Sequence, residues 1–135
     1  MSKMSKTDLT RNQSLVFDSL VEADGPLSAY TLLDRLRDQG FRAPLQVYRA
    51  LDKLVEFGMV HRLESLNAFV ACAHPHEGCS SHGTVAFMIC SKCSQVAEFH
   101  DHDVDHHLDD ITRKSGFKAE KTTIEIRGLC SACAA

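Results

Sequence analysis

Pro44-Leu45-Gln46-Val47-Tyr48-Arg49-Ala50-Leu51-Asp52-Lys53-Leu54-Val55-Glu56-Phe57-Gly58 is the stretch whose reading decides the fold of the first half of the chain. Pro44 suits the first position of a helix, where the N–H it lacks has no partner to lose. Val47, Leu51, Leu54 and Val55 recur at helical spacing and predict an inner face; Gln46, Arg49, Ala50 and Lys53 fall on the outer one. Gly58 stops the helix. Such a helix buries one side and presents hydrogen-bond donors on the other.

Working outward, Thr10 is a plausible N-cap for an earlier helix, with Leu15, Val16, Leu20 and Val21 at helical spacing until Gly25-Pro26 ends it. Ser28 caps a second helix with the stripe Leu32, Leu33 and Leu36, closed by Gly40. After Gly58, residues 59–63 and 67–71 are short β-like runs around a polar turn at Glu64-Ser65. Helix, helix, helix, hairpin is the order of a winged helix-turn-helix.

Residues 73–83 have no apolar period and are dominated by Pro, Gly and Ser, so they read as a linker. Beyond them, 85–90 and 95–99 read as strands. Asp101 caps a helix running to about Lys114, with Val104, Leu108 and Ile111 predicted inward, and Gly116 ends it. Residues 117–127 alternate as a strand, best at Thr123-Ile124-Glu125-Ile126. The expected fold class is α+β: an N-terminal winged helix-turn-helix domain over 1–72, a hinge over 73–83 and a small C-terminal α/β domain over 84–135.

The chain has 135 residues, 44% of them hydrophobic and 24% charged, an ordinary globular composition. The N-terminus is polar, and the longest apolar run, 85–90, is far too short for a membrane span, so a cytoplasmic location is expected. Six Cys in a reducing compartment are a poor basis for three disulfides; together with eight His they point to metal. The net charge of −3 does not announce a nucleic-acid binder. Residues 1–70 carry nine basic and nine acidic side chains, whereas 71–135 carry six and nine, so the acidic excess sits in the second half.

Cys90-Ser91-Lys92-Cys93 and Cys130-Ser131-Ala132-Cys133 are two matched CxxC pairs with 36 residues between them, each at a strand end. Four thiolates suit a tetrahedral Zn²⁺ and leave no open coordination position, which makes the predicted site structural. A redox CxxC usually stands alone beside a βαβ pattern; two matched pairs argue against it. Binding at such a site contributes on the order of 10 kcal/mol to folding, which matters in a domain with a small core.

With these motifs in place, the chain resembles the ferric-uptake-regulator (Fur) family, in its zinc uptake regulator branch, from Leu9 to Cys133. Val47-Tyr48-Arg49-Ala50-Leu51 is similar to the family's recognition-helix signature. Cys90-x-x-Cys93 followed by Glu98-Phe99 is similar to its metal-domain signature. Ser28-Ala29-Tyr30-Thr31-Leu32-Leu33 and Gly128-Leu129-Cys130-x-x-Cys133 look like the zinc branch. The resemblance implies a zinc-dependent transcriptional repressor that binds an inverted-repeat operator in double-stranded DNA as a homodimer, with two Zn²⁺ per chain, and represses zinc-uptake genes. It implies a regulatory metal set of His61, Cys72, His82 and Glu98, and DNA contacts from Tyr30, Gln46, Tyr48 and Arg49. Cys72 favours zinc over iron, whose sensing sites prefer N and O donors.

Some alternatives stay open at this point. His74, His76 and Cys79 compete with His82. His100, His102, His106 and His107 form a second histidine cluster, read here as a solvated acidic helix face. Another metal sensor of the same family and a zinc storage or chaperone protein remain rivals. A zinc hydrolase or deaminase is disfavoured, because no HExxH and no HxE followed by Pro-Cys-x-x-Cys occurs.

Overall fold

The computed structural model describes residues 8–72 and 84–135. It divides into two compact units, 1–77 and 78–135. The expected hinge, 73–83, lies outside the described residues.

In the first unit, α1 (Arg11–Glu22) opens on Thr10. The Thr10 hydroxyl accepts from the Gln13 N–H at 3.2 Å, and the Gln13 side chain accepts from the Thr10 N–H at 3.1 Å, a reciprocal cap that satisfies two N–H groups at the helix start. α2 (Ala29–Leu36) is capped by Ser28, continues as one 3₁₀ turn (Arg37–Gln39) and stops at Gly40. Gly40 has φ +100°, left-handed backbone that a side chain disfavours. α3 (Pro44–Glu56) follows, then the hairpin of β1 (Val60–Leu63) and β2 (Ala68–Ala71), antiparallel with His61 opposite Val70. Leu27 and Phe69 exchange two backbone hydrogen bonds, at 3.0 and 2.8 Å, which tie the α1–α2 connection to the hairpin.

Most of the apolar positions expected from periodicity are buried together, but Val21, at the end of α1, is 57% exposed and Val55 is only partly buried. Val16, Leu32, Val47, Leu51, Leu54 and Val60 are all inaccessible to solvent. Each such side chain stabilises the unit by about 1.5–3 kcal/mol relative to its exposed state. Ala50 departs from its predicted outward position: it is buried in the same core. A methyl group is small enough to lie where α3 approaches its neighbours, so the outer face narrows to Gln46, Arg49 and Lys53.

The second unit is built on β3 (Thr84–Cys90), flanked by β4 (Val96–Phe99) antiparallel and β5 (Thr122–Gly128) parallel, in the order β4-β3-β5. α4 (His102–Lys114) connects β4 to β5, and α5 (Ser131–Ala134) ends the chain. The Asp101 carboxylate accepts from the N–H groups of Asp103 and Val104 and caps α4. The inward placement expected for the α4 stripe is not found. Val104 and Ile111 are 38% and 50% exposed, and α4 has no buried residue. Leu108, the third member of the stripe, is only partly buried. Among the described residues of this unit, every buried hydrophobic lies on β3. No helix among the described residues is long and apolar enough to cross a membrane.

The first unit therefore has a packed core and the second a thin one. Leu51→Ala should cost the first unit about 2–5 kcal/mol through lost burial and a residual cavity. Urea denaturation followed by circular dichroism checks this; an unchanged midpoint would show that the α3 stripe does not carry the core.

Candidate metal centre and nucleic-acid interface

Parallel pairing of β3 with β5 places Cys90 in register with Gly128, so both strands end at the same edge of the sheet. Each then turns within a few residues. After Cys90 the chain folds back through Ser94, whose N–H donates to the Cys90 carbonyl at 3.0 Å and whose φ is +65°. After β5, Cys130 becomes the N-cap residue of α5, and the N–H groups of Cys133 and Ala134 both donate to its carbonyl. The Ser91 N–H joins the two turns by donating to the Gly128 carbonyl at 2.8 Å.

The four sulfurs converge as a result: Cys90, Cys93, Cys130 and Cys133 offer ligand atoms all within 4.8 Å of one another. Cys93 Sγ and Cys130 Sγ are 3.8 Å apart, and all four residues are thiols rather than halves of disulfides. A tetrahedron with Zn–S bonds of about 2.3 Å has edges of about 3.8 Å. The spacing thus fits a tetrahedral ion and is nearly twice a disulfide bond, about 2.05 Å. All four positions are sulfur, so no position is left for substrate.

The thiols perturb one another. Cys90 is lowered to about 6, first by the Cys93 N–H that donates to its sulfur and then by the N–H of Cys130, with burial opposing. For Cys93 the Gln95 N–H pulls downward, but the thiols of Cys90 and Cys130 together with burial outweigh it and push the group up. Cys133 is pushed up to about 12, first by the Cys130 thiol and then by that of Cys90. One negative charge is welcome in this cluster and further ones repel, unless a cation joins them.

In the first unit, His61 on β1 and Cys72 just beyond β2 form a second donor pair. The Cys72 N–H donates to the Met59 carbonyl at 2.8 Å, extending the hairpin ladder by one residue. Cys72 thus shares a strand face with Val70, the residue opposite His61, and stands diagonal to the imidazole. Both side chains are buried, and their ligand atoms lie within 4.8 Å. Glu98 belongs to the second unit, on β4 opposite Phe87, with its carboxylate 3.2 Å from His100 Nε2. His82, and its competitors His74, His76 and Cys79, lie outside the described residues.

On the outer side of α3, Arg49 is exposed and makes no hydrogen bond or ion pair among the described residues, while Lys53 pairs with Glu56 at 3.2 Å. Gln46, Arg49 and Lys53 line a shallow groove with Thr10, Asn12 and Gln13 of the α1 start. Tyr30, at the start of α2, is 64% exposed, and Tyr48 packs partly against the core. Two basic side chains near this face have local partners. Arg11 donates to the Gln39 carbonyl at 3.0 Å, and Arg62 lies 3.7 Å from Glu64 and 3.3 Å from Asn67 Oδ1.

Two outcomes follow for the four-sulfur site. Zinc binding at pH 7 should release the protons held by Cys93 and Cys133, since both thiols are raised and only thiolates ligate. Affinity should therefore rise from pH 6 to pH 8 and fall on acidification; a chelator-competition titration across that range reads it, and a flat profile contradicts it. Cys93→Ser should yield protein without chelation-resistant zinc and with the second unit unfolded, seen as lost amide protection over residues 84–135.

Residues 6–127 match the Ferric uptake regulator family. The zinc uptake regulation protein of Escherichia coli (strain K12) is 42% identical over 111 residues, 82% of this chain, and the chain spans 63% of that curated relative's length. The crystal structure of holo XcZur aligns with a TM-score of 0.84 at 42% identity, covering 93% of this chain and 86% of that one. A zinc uptake regulator complexed with zinc and DNA aligns with a TM-score of 0.86 at 38% identity, covering 93% of this chain and 83% of that one. Matched along nearly its whole length, the chain belongs to the ferric uptake regulator family, in its zinc uptake regulator branch.

Proposed function

We propose that the chain is a zinc-dependent transcriptional repressor: as a zinc-loaded homodimer it binds an inverted-repeat operator and represses zinc-uptake genes. The observation that carries this reading is the division of metal donors between two places. The four-sulfur set is closed and suits a permanent, structural zinc. The buried His61–Cys72 pair sits on the hairpin that follows α3, where a bound ion can act on the DNA-binding unit. A relative of the same branch has been solved with zinc and DNA.

In this reading His61, Cys72, His82 and Glu98 hold the regulatory zinc, giving two Zn²⁺ per chain. The set takes ligands from each half of the sequence and from the segment between, so an ion bound by all of them favours one arrangement of the halves. Zinc binds that arrangement better and shifts the population toward it. A thiolate with two imidazoles and a carboxylate suits Zn²⁺ rather than iron. On the DNA side, Arg49 extends a guanidinium whose fork matches guanine O6 and N7. Tyr48, Gln46 and Tyr30 flank it. A twofold dimer sets two such helices on half-sites about one turn apart.

The exposed apolar side chains of the second unit support the dimer. Met88 and Ile126 are in register on neighbouring strands, each about half exposed, beside Leu129, and Val104 and Ile111 of α4 are exposed as well. A second copy of the chain buries such a surface without exposing another edge.

Three measurements test the proposal. Cys72→Ser should keep the four-sulfur zinc and the fold but lose zinc-dependent DNA binding. Titrating binding to duplexes selected from a random pool against free zinc compares the two proteins; superimposed curves mean that Cys72 is only a packed thiol. Arg49→Ala should leave zinc content unchanged and cost about 1–3 kcal/mol per guanine contact removed. In sedimentation, the zinc-loaded full chain should run as a dimer and Ile126→Glu as a monomer with unchanged zinc content.

A further inference from the structure

The groove face of α3 contains one side chain whose hydrogen-bonding capacity is already half used. Gln46 Oε1 accepts from the backbone N–H of Arg42 at 2.7 Å and from that of Ala43 at 3.1 Å. Ala43 is the N-cap residue of α3, and Gln46, three residues on, makes the return half of a capping box by accepting from the N–H groups just before the helix. The two partners are backbone donors, so the atom facing them is the carbonyl oxygen and the orientation of the amide follows from chemistry. Both lone pairs of Oε1 are then engaged. What remains is the NH₂ group, two donors and no acceptor, in the groove shared with Arg49 and Lys53.

Resting on the DNA-binding role proposed above, we propose that Gln46 is a donor-only reader of the operator: it caps the recognition helix with its oxygen and offers its NH₂ to a base edge that presents acceptors. The usual pairing of glutamine with adenine is bidentate and needs the amide oxygen to accept from N6. That oxygen is held by two backbone N–H groups, and turning it outward exchanges both hydrogen bonds for water at the exposed helix start. Guanine offers two acceptors side by side, N7 and O6, which an NH₂ group can satisfy without disturbing the cap. Position 46 therefore selects guanine over adenine on the contacted strand. The cap also sets where the NH₂ points, since Arg42, Ala43 and Gln46 are locked in one short ring of hydrogen bonds.

Gln46→Glu separates the two roles. A carboxylate keeps both acceptors for the Arg42 and Ala43 N–H groups, and an acidic residue in the first turn suits the helix dipole. It removes both donors. Gln46→Ala removes cap and donors together. The experiment selects duplexes from a random pool with the zinc-loaded full chain of wild type, Gln46→Glu and Gln46→Ala, and records thermal midpoints for all three. Expected are a guanine in each wild-type half-site that Gln46→Glu replaces by cytosine, whose N4 donates to a carboxylate, and that Gln46→Ala leaves unspecified. Gln46→Glu should bind the wild-type duplex at least about tenfold more weakly with an unchanged or raised midpoint, and Gln46→Ala should melt lower. An adenine at the position that responds to Gln46, or the same base profile in all three proteins, overturns the inference while leaving the DNA-binding reading intact. A wild-type chain that enriches no sequence at all overturns that reading, and this inference with it.

Discussion

Parallel pairing of β3 with β5 is the constraint on which the second unit depends. It brings two strand ends, separated by 38 residues in the chain, to one edge of the sheet, with Cys90 opposite Gly128. Only that register lets two local turns deliver four sulfurs to one point. The pairing has little else to hold it: the buried hydrophobic residues described in this unit all lie on β3, and α4 buries no residue fully. Parallel strands also need a long crossover, with a correspondingly large closure entropy. A metal ion bound to four thiolates offsets that entropy at the place where the crossover closes. Sulfur crowding pushes Cys93 and Cys133 up, so a cation would let the same geometry carry four thiolates together.

The first unit follows a different economy. Its core is continuous across three helices and the hairpin, and its stability comes from apolar burial rather than from an ion. In the proposed reading, a unit with its own apolar core leaves the His61–Cys72 pair for response rather than for folding. The pair sits diagonally on the hairpin, where antiparallel register brings residues distant in sequence within reach of one ion. Closed structural site and responsive donor pair are thus separated by both location and chemistry.

On α3 the division of labour is finer. Val47, Leu51 and Leu54 are committed to the core, Ala50 joins them at the close approach of the helix, and Gln46 is shared between the helix start and the groove. Arg49 keeps its full donor set because nothing among the described residues competes for it. A reading helix needs such a mixture: packing positions that fix its axis, a capped end that fixes its register, and outward donors with unspent capacity.

Much of this was legible in the residues. Helix periods, the Thr10, Ser28 and Asp101 caps, the Gly40 stop and the alternation of the strands are local signals, and most elements fall where those signals put them, although the last strand begins at Thr122 rather than at residue 117. The two CxxC pairs announce a metal site because thiolate chemistry and spacing are written in sequence. Three things were decided by tertiary structure. Ala50 is buried because its neighbours approach α3 closely, which no period on α3 alone can show. Val104 and Ile111 stay exposed although they share a helical stripe with the partly buried Leu108, because a helical period does not say how much of its face another element covers. The Gln46 amide faces the backbone because the turn before α3 brings the N–H groups of Arg42 and Ala43 to its oxygen, which is visible only once that turn has its shape. Residue chemistry and local spacing determine what each side chain can do; the through-space neighbours, set by packing and register, determine which of those capacities is left to use.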